Sequence, residues 1–246
     1  MRVEREIRRM SPQPEMRSRT GNRLLDKLPD EELEQLRPAL ERVSLSHAQP
    51  LIEPHGPIPY IYFPVNALAS LVTMLEDGST VEAGSVGREG MVGVPILLDA
   101  DLTPMQTLVQ IPGEGYRVRS RAMKEAFDRG GALHHLLHRY IHTLFVVASQ
   151  SAACNRRHLV NERLARWLLM SSDGVASEHL SLTQEFLATM LGVRRSGVTE
   201  AALRLQSHGL IRYSRGSVEI LDREGLEQSA CECYRMVKDE YDRLLG

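Results

Sequence analysis

Between residues 180 and 221 the hydrophobic positions recur first with the period of a helix and then with that of a strand. Two groups of apolar residues have helical spacing, with Gly192 between them: Leu187, Met190 and Leu191, then Val198, Ala201, Ala202 and Leu205. Gly209 ends the second group. Residues 210–213 and 218–220 then read as strands around a Ser-Arg-Gly turn. This order of elements predicts a winged helix-turn-helix.

The second helix of this motif presents Arg194 and Arg195 at its N-terminus. Helix-turn-helix proteins place this end of the second helix against base edges in the major groove of DNA. The pattern therefore favours DNA binding. A winged helix also serves as a protein-docking module, so a signalling or scaffold protein whose winged helix docks protein is the alternative.

The N-terminal half has a different pattern of apolar and polar residues. Residues 1–20 are rich in Arg, Pro and Ser and are expected to form a disordered basic tail. Residues 22–43 read as helices, with Pro29 at a helix start. From residue 45 to 118, short apolar runs alternate with Gly- and Pro-containing turns, which predicts an antiparallel barrel or roll able to enclose a small ligand.

A long helix is predicted over residues 132–157, where neither Pro nor Gly occurs. Its apolar positions fall near a heptad seam: Leu133, Leu137, Tyr140, Leu144, Val147 and Ser151. Leu136, Ile141, Phe145 and Ala148 widen this stripe beyond one contact, which favours pairing with a second copy of the chain. The alternative is a helix buried against its own barrel. Further helices are predicted over 159–170 and in the tail at 223–245.

Composition narrows the functional classes. The 246 residues are 42% hydrophobic and 25% charged, with a net charge of −2, so a DNA site must be a local basic patch. No apolar run is long enough to span a bilayer, and the N-terminus lacks the apolar core of a secretory signal. The three cysteines form no even disulfide framework, which favours a reducing cytoplasm. No nucleophile elbow, phosphate loop or HExxH is present, so no enzymatic activity is expected.

Residues 182–198 resemble a family signature, LTxxxLAxxLGxxRxxV, and the order of roll, long helix and winged helix is similar to that of the same family. The family is the cyclic-AMP receptor protein/FNR (Crp/Fnr) superfamily of bacterial transcription regulators. The resemblance implies an α+β chain: a cyclic-nucleotide-binding-like sensor β-roll at 21–130, a dimerisation helix at 131–158 and a winged helix-turn-helix at 159–246. It also implies a homodimer on an inverted-repeat site in double-stranded DNA, with RNA polymerase and an unknown small-molecule effector as further partners.

The resemblance assigns DNA contacts residue by residue. Arg195 falls where the family has its base-reading arginine, which can fork onto guanine O6 and N7. Ser196 and Glu200 replace a Glu and an Arg of the cyclic-AMP type, so the operator is expected to differ. The full predicted set, with wing residues positioned for the DNA backbone, is Thr183, Gln184, Arg194, Arg195, Ser196, Thr199, Glu200, Arg212 and Arg215.

The predicted sensor departs from the cyclic-nucleotide pattern. Aligning residues 92–98 with that signature puts Val94 where the ribose-binding Glu belongs, and no Arg or Lys occurs between Arg88 and Arg117. A buried phosphate without a cationic partner is costly, so no cyclic nucleotide is expected to bind. The candidate loop for another ligand consists of Arg88, Glu89, Gly90 and Val94.

No cofactor or metal site is predicted. His134, His138 and His142 have i, i+4 spacing, but a solvated helix face accounts for them better than a metal does. Three cysteines cannot supply the four thiolates of an FNR-type iron–sulfur cluster. For Cys231 and Cys233, burial in the tail and a thiol sensor remain alternatives.

Overall fold

The computed structural model describes residues 19–76, 78, 80–214 and 216–245. It is a mixed structure of helices and antiparallel sheets, which confirms the predicted fold class. The helices are α1 (Asp30–Leu36), α2 (Val94–Leu97), α3 (Ser120–Asp128), α4 (Gly131–Arg157), α5 (Val160–Val175), α6 (Gln184–Leu191), α7 (Arg195–Ser207), α8 (Arg223–Ser229) and α9 (Cys233–Leu245). The strands are β1 (Glu41–Leu45), β2 (Pro50–Ile52), β3 (Tyr60–Pro64), β4 (Leu68–Met74), β5 (Thr80–Val86), β6 (Gln106–Ile111), β7 (Gly113–Arg119), β8 (His179–Ser181), β9 (Ile211–Ser214) and β10 (Ser217–Ile220).

Strands β1 to β7 form the predicted roll from two antiparallel sheets, ordered β1-β7-β3 and β2-β6-β4-β5. Buried side chains from both sheets, such as Leu45, Tyr62 and Val109, form its core. The β4–β5 pairing runs from Ala69 opposite Val86 to Met74 opposite Thr80, so these two strands form a long hairpin.

The N-terminal segment is less helical than its sequence pattern predicts. The helical reading extended to residue 43, but α1 ends at Leu36 and β1 begins at Glu41. Thr20, assigned to the tail, is buried, and both its N–H and its hydroxyl donate to Oδ1 of Asp26. Residues 1–18 of the predicted disordered tail lie outside the described residues.

Helix α4 follows the roll in the sequence, and α9 packs along α4. Val237, Tyr241 and Leu244 of α9 are buried in the same cluster as Leu137 and Tyr140 of α4. The guanidinium of Arg139 donates to the carbonyl oxygens of Arg243 and Leu244 at the end of α9. The C-terminal tail is therefore part of the core around the long helix.

The winged helix-turn-helix comprises α5 to α8 and a small sheet ordered β8-β10-β9. The sequence predicted the β9–β10 hairpin but not β8, a three-residue strand that pairs with β10 from Ser217 to Glu219. Within the described residues, no helix combines the length and apolarity required to cross a membrane.

Candidate nucleic-acid interface and sensor cavity

Helix α6 begins with a side-chain cap. The Thr183 hydroxyl accepts a hydrogen bond from the backbone N–H of Phe186 at 3.2 Å, which satisfies one free donor of the first turn. Leu187 and Leu191 bury the inner face of the helix. Gln184, the first helical residue, is half-buried.

The turn between α6 and α7 requires a glycine. Gly192 has φ 61°, in the left-handed region that residues with a Cβ rarely adopt. Val198 and Leu205 then bury α7, whereas Arg194 and Arg195 remain exposed at its start. The helix is thus anchored by one face and presents the two arginines predicted to meet DNA.

Three of the predicted DNA contacts form one polar network. Oε1 of Gln184 accepts from Nε of Arg195 at 3.4 Å and from the Thr199 hydroxyl at 3.1 Å. Ser196 and Glu200 lie exposed on the same helix. The partner of Arg195 is a neutral amide, so this contact orients the guanidinium without neutralising it.

The wing arginines have a different environment. Arg212 forms a salt bridge of 2.5 Å with Glu219, whose carboxylate also contacts Nε2 of His179 at 3.2 Å. A carboxylate therefore offsets the charge of Arg212, which weakens its attraction for phosphate. Arg215 lies outside the described residues, so its predicted backbone contact has no structural description.

Two residues of this surface were missed by the sequence reasoning. Leu203 is 59% exposed and lies on the outward face of α7 beside Glu200. Oε1 of Gln206 accepts from the N–H of Tyr213 at 2.8 Å, joining α7 to the wing. The helical period could have revealed Leu203, because it lies three residues after Glu200 and off the buried stripe.

The β4–β5 hairpin of the roll reaches this surface. Thr80 and Val81 line one surface depression together with Arg194 and Arg195. The hairpin and the start of α7 therefore border the same depression.

A second contact fixes the same hairpin to α5. Oε1 of Glu82 accepts from Nε1 of Trp167 at 2.9 Å, and its other oxygen accepts from the Ser70 hydroxyl at 2.6 Å. Burial raises the pKa of Glu82, and the two hydrogen bonds act in the opposite direction. Trp167 is almost fully buried and packs 5.7 Å from the ring of Phe186. The roll and the helix-turn-helix therefore share a polar contact as well as an apolar one.

The roll contains a narrow cavity of about 50 Å³. Its wall is formed largely by apolar side chains, among them Ile52, Leu71, Met91, Val94, Met105 and Leu144. Thr103 and Thr107 contribute polar atoms, and none of the described lining residues is charged. A typical small-molecule site occupies roughly 300–1,000 Å³, so this cavity is smaller than that range.

The structure separates the four residues of the predicted ligand loop. Val94 lines the cavity, whereas Arg88, Glu89 and Gly90 are not among its lining residues. The N–H of Arg88 donates to the carbonyl of Gly174 in α5 at 2.9 Å. A Cβ on Gly90 would lie 2.3 Å from the Tyr140 hydroxyl. This loop therefore joins the roll to α4 and α5.

Four of the six residues predicted to form the dimer seam are covered within the single chain. Leu133, Leu137, Tyr140 and Val147 are all buried within the single chain, because α9 and the roll cover that stripe. Leu144 faces the sensor cavity and Ser151 contacts Arg166 at 3.5 Å. The hydrophobic period located the apolar face correctly, but it could not tell which element covers it.

Another face of α4 is apolar and exposed. Phe145 is 71% exposed, a large value for an aromatic side chain. Ala148 and Ala152 lie exposed one and two turns further along, and Ile141 is half-buried one turn before. This stripe, Ile141–Phe145–Ala148–Ala152, is called the outer face of α4 below.

The three cysteines also meet in space, which the sequence reasoning did not foresee. Cys154, Cys231 and Cys233 are buried as one cluster at the junction of α4, α5 and α9, with His158 beside them. Two short spacings in the sequence could have indicated this cluster: Cys-x₃-His at the end of one predicted helix, and Cys-x-Cys in the predicted helical tail.

Together these features define an architecture: a β-roll joined through a long helix to a winged helix-turn-helix. Residues 162–229 match the family of Crp-like helix-turn-helix domains. The C-terminal part of the chain therefore matches a Crp-like helix-turn-helix domain, and the chain as a whole shares its fold with solved structures of the Crp/Fnr family.

Solved structures with the same fold are distant in sequence. A Crp/Fnr-family protein from Eubacterium rectale is 15% identical with a TM-score of 0.63, covering 84% of this chain and 96% of the other. A CRP-family transcriptional regulator from Thermus thermophilus is 20% identical with a TM-score of 0.61, covering 77% and 96%. The c-di-GMP-responsive global regulator CLP from Xanthomonas campestris is 16% identical with a TM-score of 0.59, covering 78% and 99%. No curated protein sequence matches the chain.

Proposed function

We propose that this chain is a DNA-binding transcriptional regulator that acts as a homodimer on an inverted-repeat operator. The observation that carries the proposal is the exposed Arg195 at the start of α7, held by the neutral amide of Gln184. A guanidinium in that position can make the paired hydrogen bonds that recognise guanine. The proposed domain division is a roll over 21–130, a connecting helix over 131–158 and a DNA-binding domain over 159–246.

Selection of bound sequences from random DNA duplexes tests the proposal directly. The purified dimer should enrich an inverted repeat whose half-sites are about 10 base pairs apart, because two recognition helices enter successive major grooves. Failure to enrich any sequence would favour the alternative, a signalling protein whose winged helix docks protein. The Glu219 carboxylate beside Arg212 is the observation that keeps this alternative open.

Arg195 and Arg212 should behave differently on the selected site. Arg195→Ala should cost about 1–3 kcal/mol and relax the preference at one base pair, since its guanidinium reads bases. Arg212→Ala should weaken all duplexes similarly and by less, because Glu219 already offsets its charge. Fluorescence anisotropy on matched and single-mismatch duplexes measures both. Equal loss on every duplex for Arg195→Ala would contradict base reading.

Glu200 provides a second test, of whether the operator differs from that of the cyclic-AMP type. Its exposed carboxylate repels phosphate but can accept a hydrogen bond from the amino group of cytosine. Glu200→Ala should therefore change which base is preferred. A uniform gain of affinity on every duplex would show that Glu200 acts only by repulsion.

The sensor roll is proposed to bind no cyclic nucleotide. The cavity is narrow and its described lining is uncharged, which leaves a phosphate without a cationic partner. Isothermal titration with cyclic AMP and cyclic GMP should show no saturable binding in the micromolar range. Cyclic di-GMP belongs in the same experiment, because CLP of the same fold responds to it. Micromolar binding of any of the three would contradict this assignment. An effector that suits the lining is a small apolar molecule.

A further inference from the structure

The thiol cluster at the junction of α4, α5 and α9 is independent of DNA reading and has the geometry of a metal site. Cys154 and His158 lie one turn apart at the end of α4. Cys233 is the first residue of α9, and Cys231 lies two residues before it. One ligand atom from each of these four residues lies within 4.8 Å of all the others. Residues far apart in sequence thus place three sulfur atoms and one imidazole nitrogen around a single point.

The separations match those around one tetrahedral zinc ion. Zinc binds thiolate sulfur at about 2.3 Å and imidazole nitrogen at about 2.0–2.1 Å, so adjacent ligand atoms are about 3.6–3.8 Å apart. The sulfur atoms of Cys154 and Cys231 are 3.5 Å apart, and Sγ of Cys233 is 3.5 Å from Nδ1 of His158. An iron–sulfur cluster spreads its ligands over several iron atoms, and four ligand atoms this close together suit a single ion better.

The orientation of His158 is a second, independent observation. Nε2 of the ring contacts the Glu232 carboxylate at 3.2 Å, while Nδ1 faces the sulfur atoms. Metal-binding histidines characteristically donate their other ring N–H to a carboxylate, which fixes the tautomer and directs the lone pair at the metal.

The surrounding charges suit an anionic site. Arg163 and Arg166 of α5 are both buried, and within the described part of the chain neither Nε atom has a hydrogen-bond partner. Three thiolates, a neutral imidazole and Zn²⁺ together carry one negative charge, which a neighbouring guanidinium can balance. Gln150 donates to Sγ of Cys233 at 2.9 Å, a contact that also favours a thiolate.

We propose that Cys154, His158, Cys231 and Cys233 bind one structural zinc ion. Four protein ligands close the coordination sphere, as in structural rather than catalytic zinc sites. The ion would bind the start of α9 to the end of α4, and α9 in turn covers the apolar stripe of α4. Loss of the ion is therefore expected to loosen α9 and expose that stripe.

The first test uses the wild-type full-length protein, purified under reducing conditions from zinc-supplemented cells. Elemental analysis should find about one zinc per chain, and a chelator that removes it should lower the melting temperature. Replacement with Co²⁺ should give sulfur-to-cobalt charge transfer and the intense ligand-field absorption of a tetrahedral site. Protein without stoichiometric metal and without these bands would overturn the proposal, as would a native Cys154–Cys231 disulfide or the spectrum of an iron–sulfur cluster.

Matched variants locate the site. Cys233→Ser and His158→Gln should each lose most of the bound zinc, about tenfold or more, and change the cobalt spectrum. His142→Gln is the control, because His142 is another α4 histidine that contacts a carboxylate, Glu240, away from the thiols. Equal metal content in all three variants would place the ion elsewhere and overturn the assignment. If a variant fails to fold, the cobalt spectrum of the wild-type protein still decides whether thiolates and an imidazole bind one ion.

Discussion

Gly87→Ala should lower the melting temperature by between about 2 and 12 °C. A Cβ on Gly87 would lie 2.4 Å from Cα of Gly174, so the backbones of the roll and α5 would have to separate. Overpacking of this kind costs about 1–3 kcal/mol, and each kcal/mol shifts the melting temperature of a chain this long by about 2–4 °C. The hydrogen bond from the Arg88 N–H to the Gly174 carbonyl would weaken as well. Thermal unfolding followed by circular dichroism measures the shift.

Gly84→Ala is the matched control. Gly84 lies three residues earlier, in β5, and a Cβ there would meet nothing within 4 Å. Its melting temperature should stay the same or rise slightly, because glycine is unfavourable in a strand interior. Equal shifts in the two variants would mean that the close approach of the two backbones does not stabilise the protein.

Phe145→Glu should convert the dimer to monomer at concentrations where the wild-type protein is dimeric. Phe145 is the large exposed side chain of the outer face of α4, and with the apolar stripe covered by α9 this face is the one left for a second copy. A buried unpaired carboxylate costs several kcal/mol. About 3 kcal/mol corresponds to an increase of about 100-fold in the dimer dissociation constant. Analytical ultracentrifugation measures the change.

Leu98→Glu is the control for added charge, because Leu98 is a 56% exposed residue of the roll outside α4. It should leave the dimer intact. A Phe145→Glu protein that remains dimeric would exclude the outer face of α4 as the interface. Leu137→Glu cannot decide the question, since Leu137 is buried within one chain and its replacement would unfold the protein.

Local patterns predicted the helix-turn-helix well, because its signals lie next to the elements that they specify. Thr183 caps α6 and Gly192 adopts the left-handed conformation of the turn, and both are readable from neighbouring residues. The roll was predicted for the same reason, from closely spaced turns. Strand β8 was missed because three residues are too few to show the alternation of apolar and polar positions that marks a strand.

The sequence pattern was least informative where a partner comes from a distant part of the chain. The period of α4 identified an apolar stripe, but the choice between a second copy and α9 depends on tertiary packing. Cys154 and Cys231 are separated by 77 positions, so their approach is set by how α9 folds back onto α4. Two statements remain predictions: that Arg195 reads DNA, and that the outer face of α4 pairs with a second copy of the chain. The sequence pattern and the fold both describe one chain alone.

Trp167 gives the molecule an intrinsic optical probe. It is the one tryptophan in the sequence, and its indole donates to Glu82 of the roll while it packs against Phe186 of α6. Its emission therefore arises from the boundary between the roll and the helix-turn-helix. A ligand that shifts the β4–β5 hairpin would change the polarity around the indole and so the wavelength of that emission. Unlabelled protein can thus be screened for effectors by fluorescence alone, before any operator sequence is known.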